Sequence, residues 1–279
     1  EQLETIQQGV ADLGLTLPAY TPGKLPLAYT NYAYPFAPED PVVATEIWWQ
    51  LMSEFPIFDQ EMADNNVKLL YVASADDYAL VSRMPMENLD DFNGKKVVQL
   101  GGYFADWTKA AGITPVSGVT VAERYERLRT GVVDGDLLPP SLMKIYGTYE
   151  VAKHLIMVKT GARIPLSYII NLDVWNKFTP ELQELFLEVG HETQLRHAAA
   201  TRAESLKAIE FMQNEGKVKF YGDLNEQDVA KWAALVPDTP AMMCESLQDK
   251  YPEIWDVADR YLQLAEDAGH QWPKQFAVR

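Results

Sequence analysis

The 279-residue chain has one cysteine, Cys244, so no disulfide can form within it. That is compatible with cytosol, with periplasm, and with a secreted protein that uses no disulfides. Basic residues are scarce: 24 Lys and Arg against 40 Asp and Glu give a net charge of −16. A chain this acidic is repelled by nucleic acid and by anionic membrane surfaces, which argues against both as partners. No apolar run reaches the roughly 18 residues that a membrane helix needs, so direct membrane insertion is not expected. The chain has no G-x-S-x-G elbow, no P-loop and no G-x-G-x-x-G. His191 and His197, in H-E-T-Q-L-R-H, are six residues apart rather than four. On a helix they face different ways and make no zinc pair. His154 and His270 have no companions at metal spacing. No catalytic residue, metal or cofactor is therefore expected. Asp76-Asp77 reads either as a cation-binding pair or, more plainly, as a cap or exposed turn.

What is present fits an α/β protein of two lobes. Hydrophobic content of 47% and charged content of 23% suffice for a sizeable core. The stretch VAERYERLRTGVVDGDLLPP, Val121 to Pro140, organises the reading. Val121, Tyr125 and Leu128 recur at helical spacing, with Glu123, Arg124, Glu126 and Arg127 between them. Gly131 stands where a left-handed cap residue is wanted. Val132-Val133 reads as a short buried strand and Asp134-Gly135 as a turn, and Pro139-Pro140 forbids a helix straight after it. The opening stretch Leu3 to Asp12 repeats the phrase: helix tail, Gly9, a small apolar pair, an aspartate. The repeat predicts two lobes that each close an αβ unit in this way, although such junctions are common in any α/β protein. The chain opens on EQLETIQQG, inside a helix with no cap before it, so a mature or truncated form is expected.

Residues 15 to 38 are rich in proline and aromatics, with Tyr20, Tyr29, Tyr32, Tyr34 and Phe36 between turn signals. They line a cleft or pack as an ordered connection. Glu39-Asp40 opens a helix from Pro41 to Phe55. Val67 to Ala73 is a buried strand, and Ser74 to Tyr78 follows at its carboxyl end, where open α/β sheets bind ligands. Further strands are expected through Val97 to Leu100, at Ile113 to Val116, and in VAKHLIMV and LSYIIN. Helices are expected near Ala105 to Ala110 and Leu142 to Tyr149. Thr179-Pro180-Glu181 starts a helix that runs to Asn214, long enough to span both lobes. No Gly/Ser linker separates the lobes, so paired strands should connect them.

Six segments in register resemble a known family. Asp91-Phe92-Asn93-Gly94-Lys95-Lys96-Val97 is similar to its "D-L-K-G-L-K-I" turn and strand. Glu123 through Gly135 is similar to "E-V-Y-x-A-L-Q-x-G-V-V-D-G". Tyr149 to Leu155 matches "x-E-V-x-K-Y-L", and Asn171 to Trp175 with Pro180 to Gln183 matches "N-x-x-x-W…P-x-E-L-Q". Gln8 to Asp12 fits "x-G-T-x-D", and Tyr34-Pro35-Phe36 fits "l-P-F". Together, from Gln2 to about Asp223, they resemble the solute-binding proteins of tripartite ATP-independent periplasmic (TRAP) transporters, of the C4-dicarboxylate-binding, DctP type.

The resemblance implies a two-lobed, periplasmic-binding-protein-like α/β fold with hinge strands and a long helix across both lobes. Residues 1–75 with about 170–200 would form the N-terminal lobe, lacking the family's first strand and helix. Residues 76–169 with about 201–240 would form the second lobe, and 241–279 the C-terminal helices packed on both. It also implies a periplasmic receptor, not an enzyme, that delivers a small organic solute to membrane permease subunits. The family's carboxylate-gripping arginine falls at Val98, a frequent second basic position near Tyr78, and a common polar anchor at Leu138. A carboxylate buried there without a partner would cost several kcal/mol. A typical dicarboxylate is therefore not expected. Either an apolar or aromatic ligand is held by Tyr34, Phe36, Tyr78, Tyr103, Trp107 and Leu138, or Arg163 replaces the missing arginine from another direction. Each aromatic could equally be core, and Arg163 an exposed loop residue. Asp77 would accept a ligand ammonium if it faces the cleft, and Asn171 joins the candidate ligand-binding residues. The rival readings are a two-lobed α/β enzyme and a sensory binding module.

Overall fold

The structure, a computed structural model, describes residues 2–277; Glu1, Val278, Arg279 and the side chain of Val121 lie outside the described residues. Two sheets carry the fold. The first has three antiparallel strands in the order β1 (Leu13–Thr16), β8 (Arg163–Asn171), β2 (Val67–Ala75). The second has six, in the order β5 (Thr114–Val116), β4 (Lys96–Val98), β6 (Gly135–Leu138), β3 (Ala79–Ser82), β7 (His154–Met157), β9 (Lys219–Asp223). β3 runs antiparallel to β6 and β7, and the other pairs are parallel.

The chain passes between the sheets twice in short segments outside any helix or strand, from β2 through Asp76–Tyr78 into β3, and from β7 through 158–162 into β8. The strands β2 and β8 pair as far as Ala75 and Arg163, but the crossings themselves carry no strand, against the expectation that paired strands connect the lobes. A helix makes the third passage. Thr179 accepts a bond from Leu182 N at 3.3 Å, Pro180 takes the first helical position, and the helix runs Pro180–Asn214, as the sequence predicts. Its first half packs on β2, and Met212 near its end enters the core cluster of the second sheet with Val98 and Leu155. On the first sheet, the helix Pro41–Glu54 is capped by Asp40 and buries Ile47, Trp48 and Leu51. These meet Val257 and Tyr261 of the helix Ile254–Asp267 in one apolar cluster. Each such fully buried large side chain contributes about 1.5–3 kcal/mol.

The organising stretch departs from its reading in two places. Gly131 is left-handed at φ +77° and ends the helix Val121–Thr130 as expected. Val132 and Val133, however, turn back to donate to Arg127 O, and the strand begins only at Gly135. The Asp134 carboxylate holds this register by accepting Lys96 N at 2.8 Å. The proline pair does not forbid a helix: Pro140 starts Pro140–Tyr146, where its missing N–H is no loss. The N-terminal copy behaves alike, with Gly9 at φ +69° and a strand beginning after the aspartate.

Glu61 supplies a buried charge beneath the aromatic segment. Its carboxylate accepts Leu27 N at 2.6 Å and Ala28 N at 2.9 Å, yet burial pushes its pKa up to about 7. A carboxyl whose folded pKa exceeds its unfolded value takes up protons on folding. Its contribution is therefore full below the unfolded carboxylate range and is lost as pH rises through 7. The lost stability is about 1.4 kcal/mol per unit of separation. Burial lowers the pKa of His154, His197 and His270, which opposes this only below about pH 6.5, and by smaller shifts. The urea midpoint should therefore be higher at pH 5.5 than at pH 8, and Glu61→Gln, though destabilising, should reduce that slope to the part that Asp77 and Asp136, whose pKa values burial also raises, contribute. An unchanged slope in the variant would refute this assignment.

Candidate ligand cleft

A cavity of about 540 Å³ opens where the two sheets face each other. Ser74 and Ala75, at the end of β2, and Pro165 and Leu166 of β8 form the first-sheet wall. Tyr78 enters from the first crossing segment and Leu138 from the carboxyl end of β6. Leu142, Ile145 and Tyr146 of the helix Pro140–Tyr146 face His197, Thr201 and Glu204 of the long helix. Tyr20 and Tyr32, from the aromatic segment, with Arg124, Leu100 and Ser141, also line the cavity. The position, outside strand ends and between two sheets, is the one at which α/β folds bind small molecules. A second hollow of about 430 Å³ beside β1 is lined by the N-terminal helix, Thr16 and the segment after that strand, and shares Leu17 and Tyr20 with the first cavity.

Arg124 is the residue that sequence reasoning misses, because its charge groups it with the polar face of its helix. Thr120 and Glu123 cap that helix reciprocally, and its inward face carries Arg124 and Leu128, one turn apart. Tyr125 is half-buried, and the side chain of Val121, expected on the inward face, lies outside the described residues. Arg124 Nη1 donates to Asp136 Oδ1, and Asp136, on β6, lies in register beside Val98 of β4. Burial pushes the Asp136 carboxyl up to about 6, against the pull of the guanidinium. The four-residue spacing to Leu128 is the signal that could have found it.

The ten sequence-predicted residues separate into two groups. Tyr78 and Leu138 line the cavity. Val98 lies in the core of the second sheet with Leu128 and Leu138. Tyr34 packs on Tyr261 at 4.0 Å between centroids, Phe36 edge-on to Trp232 at 5.2 Å, and Tyr103 on Tyr29 at 5.4 Å. Trp107 donates to Thr239 Oγ1 at 3.2 Å. Asn171 caps the turn Leu172–Trp175 and donates to Ile6 O at 2.9 Å. Asp77 accepts Gly161 N at 2.7 Å and Thr160 Oγ1 at 3.2 Å, fastening one crossing segment to the other. Burial and the nearby Glu39 charge push its pKa up to about 7. Arg163 is 1% exposed, donates to Thr160 O and to Ala162 O at 3.1 Å, and lies over the Trp107 ring at 4.8 Å. It does not line the cavity. His191 pairs with Gln194 and His197 with Thr201. Among the described residues no cluster of His, Cys, Asp and Glu could hold a metal, and no helix is long and apolar enough to cross a membrane.

Three comparisons bear on this architecture. The family model described as "Bacterial extracellular solute-binding protein, family 7" (DctP) matches residues 1–242. An uncharacterised protein of Haemophilus influenzae is 34% identical over 158 residues, 56% of this chain and 48% of its own length. The ectoine-binding periplasmic protein TeaA of Halomonas elongata is 22% identical over 258 residues, 91% of this chain and 74% of its own. A TRAP periplasmic solute-binding protein of Desulfovibrio salexigens superposes with a TM-score of 0.83 at 20% identity, over 96% of this chain and 81% of that one. The matched segment spans about half the length of the Haemophilus relative. The likeness in structure establishes the two-lobed α/β fold.

Proposed function

The chain belongs to family 7 of the bacterial extracellular solute-binding proteins, and from that premise we propose that it is a periplasmic solute receptor of a TRAP transporter. The observation that carries the reading is the cavity between the two sheets, of a size for a small organic molecule. The lobes, divided at the Asp76–Tyr78 and 158–162 crossings, close over the solute by rotation about them, and the closed form docks on membrane permease subunits. The receptor releases its solute unchanged and performs no catalysis. Its ligand is an organic compound with an apolar or aromatic body. Leu138, Leu142, Ile145 and Leu166 dominate the wall, and Val98 offers no charge at the strand position beneath it. TeaA, a relative, is named for ectoine rather than for a dicarboxylate.

A thermal-shift screen tests the reading. Aromatic and apolar compounds should raise the melting temperature, with stabilisation of about 2.7 kcal/mol at a hundredfold excess over Kd. Succinate should not. A strong succinate shift abolished by Arg163→Ala would sink the apolar reading, and steady turnover of any bound compound would sink the receptor.

A further inference from the structure

Arg124 is buried at the cleft with most of its hydrogen-bonding capacity unused. Its side chain is 7% exposed. A guanidinium carries five N–H donors in a rigid fork, and this one makes a single protein hydrogen bond, from Nη1 to Asp136. The Nε–Nη2 edge, the pair of parallel donors that matches a carboxylate, has no acceptor among the described residues. Neither nitrogen of that edge is sealed from solvent, so a ligand acceptor that reaches it from the cavity gains two charge-assisted hydrogen bonds. Arg163, the other deeply buried arginine, also has an unpartnered nitrogen, its sealed Nε, but backbone carbonyls hold its other end and it does not line the cavity.

The rest of the lining fixes the charge of the ligand. Among the described residues Arg124 is the only Lys or Arg that lines the cavity. His197 also lines it, and burial favours its neutral form. Glu204, on the long helix, also lines it, but it is mostly exposed and paired with Lys207 at 2.7 Å. Arg124 already shares its charge with Asp136, so the lining offers one shared cation to an anionic group on the ligand, and a second such group would meet none. Ser74, also in the lining, has a hydroxyl that is buried with no partner among the described residues.

We propose that Arg124, presented by a helix rather than a strand, is the anion anchor of this cleft, and that the solute is a monocarboxylate with an aromatic or aliphatic body. This rests on the receptor reading above. The carboxylate takes the Nε–Nη2 edge, and the body lies against Leu138, Leu142 and Ile145. Asp136 is a positioning residue that holds the guanidinium by its other end.

The experiment is calorimetric titration of the wild-type chain with benzoate, phenylacetate, hexanoate and succinate, and with benzamide and phenylacetamide as neutral counterparts. At least one monoacid should bind, roughly 10- to 100-fold more tightly than its amide and more tightly than succinate. The double variant Arg124→Met/Asp136→Asn, which leaves no buried unpaired charge, should lose that acid preference and keep residual affinity for the amide. Equal binding of acid and amide, an acid preference that survives in the double variant, or tighter binding of succinate would overturn the Arg124 assignment and leave the receptor reading standing. No binding by any compound would overturn both.

Discussion

Gly161→Ala is expected to lower stability by about 3 kcal/mol or more, the sum of a strained backbone and an overlap with no room to relax. Gly161 sits in the second crossing segment at φ +94°, a region that side-chain-bearing residues rarely adopt. A Cβ added there would lie 2.3 Å from Ala37 O and 2.8 Å from Ala37 N. The obstacle is backbone, so no side chain can swing aside. The neighbours cannot easily retreat either. Ala162 N donates to Pro38 O at 2.9 Å, and Gly161 N donates to the buried Asp77 carboxylate. Moving the 37–38 loop breaks the first bond and moving the crossing breaks the second. Gly23→Ala is the matched control, because nothing lies within 4 Å of its added Cβ and its φ is not in the left-handed region. It should change stability by no more than about 0.5 kcal/mol. Urea unfolding of both variants decides the matter, and similar losses in the two would show that close packing at the crossing is not what Gly161 provides.

The crossing is half legible in the amino-acid sequence. Local grammar carries its outline: Asp76-Asp77-Tyr78 at a strand end, no flexible linker, and Gly161 between two strand-like runs. Local grammar also carries the long helix, since Thr179-Pro180 and Gly216 mark its ends by chemistry confined to a few residues. What it does not carry is which groups meet across the chain. Tyr34 and Phe36 lie in an aromatic run that suits a cleft or a core equally. Their partners, Tyr261 and Trp232, stand some 200 residues away and decide for the core. Tyr20, from the same run, is exposed and lines the cavity instead, while Tyr32 reaches the cavity wall from within the core. Arg124 shows the same limit more sharply. Charge assigns it to the outer face of its helix, because a buried arginine is intelligible only with its counter-ion, and Asp136 is supplied by the next strand.

That pair yields the second large effect. Arg124→Met is expected to cost about 3–5 kcal/mol at pH 8, because it strands a carboxylate that is 0% exposed and has one oxygen already without a partner. The cost should depend on pH in a defined direction. In the native chain burial holds the Asp136 pKa at about 6, above its unfolded value, so its contribution is lost as pH rises from the ordinary carboxylate range through 6 and is constant above that. Removing the guanidinium takes away the one charge that opposes burial, so the folded pKa rises further. The variant therefore keeps losing stability above pH 6, by about 1.4 kcal/mol per unit until its new pKa is reached. The difference between native and variant chains should be smallest near pH 5 and grow toward pH 8. Arg124→Met/Asp136→Asn should recover most of the loss and abolish its pH dependence, since a neutral amide has nothing to titrate and little charge to desolvate. If Arg124→Met instead cost the same at pH 5 and pH 8, its role would be packing of the methylene stem against the second-sheet core. The electrostatic account of the cleft would then have to be abandoned.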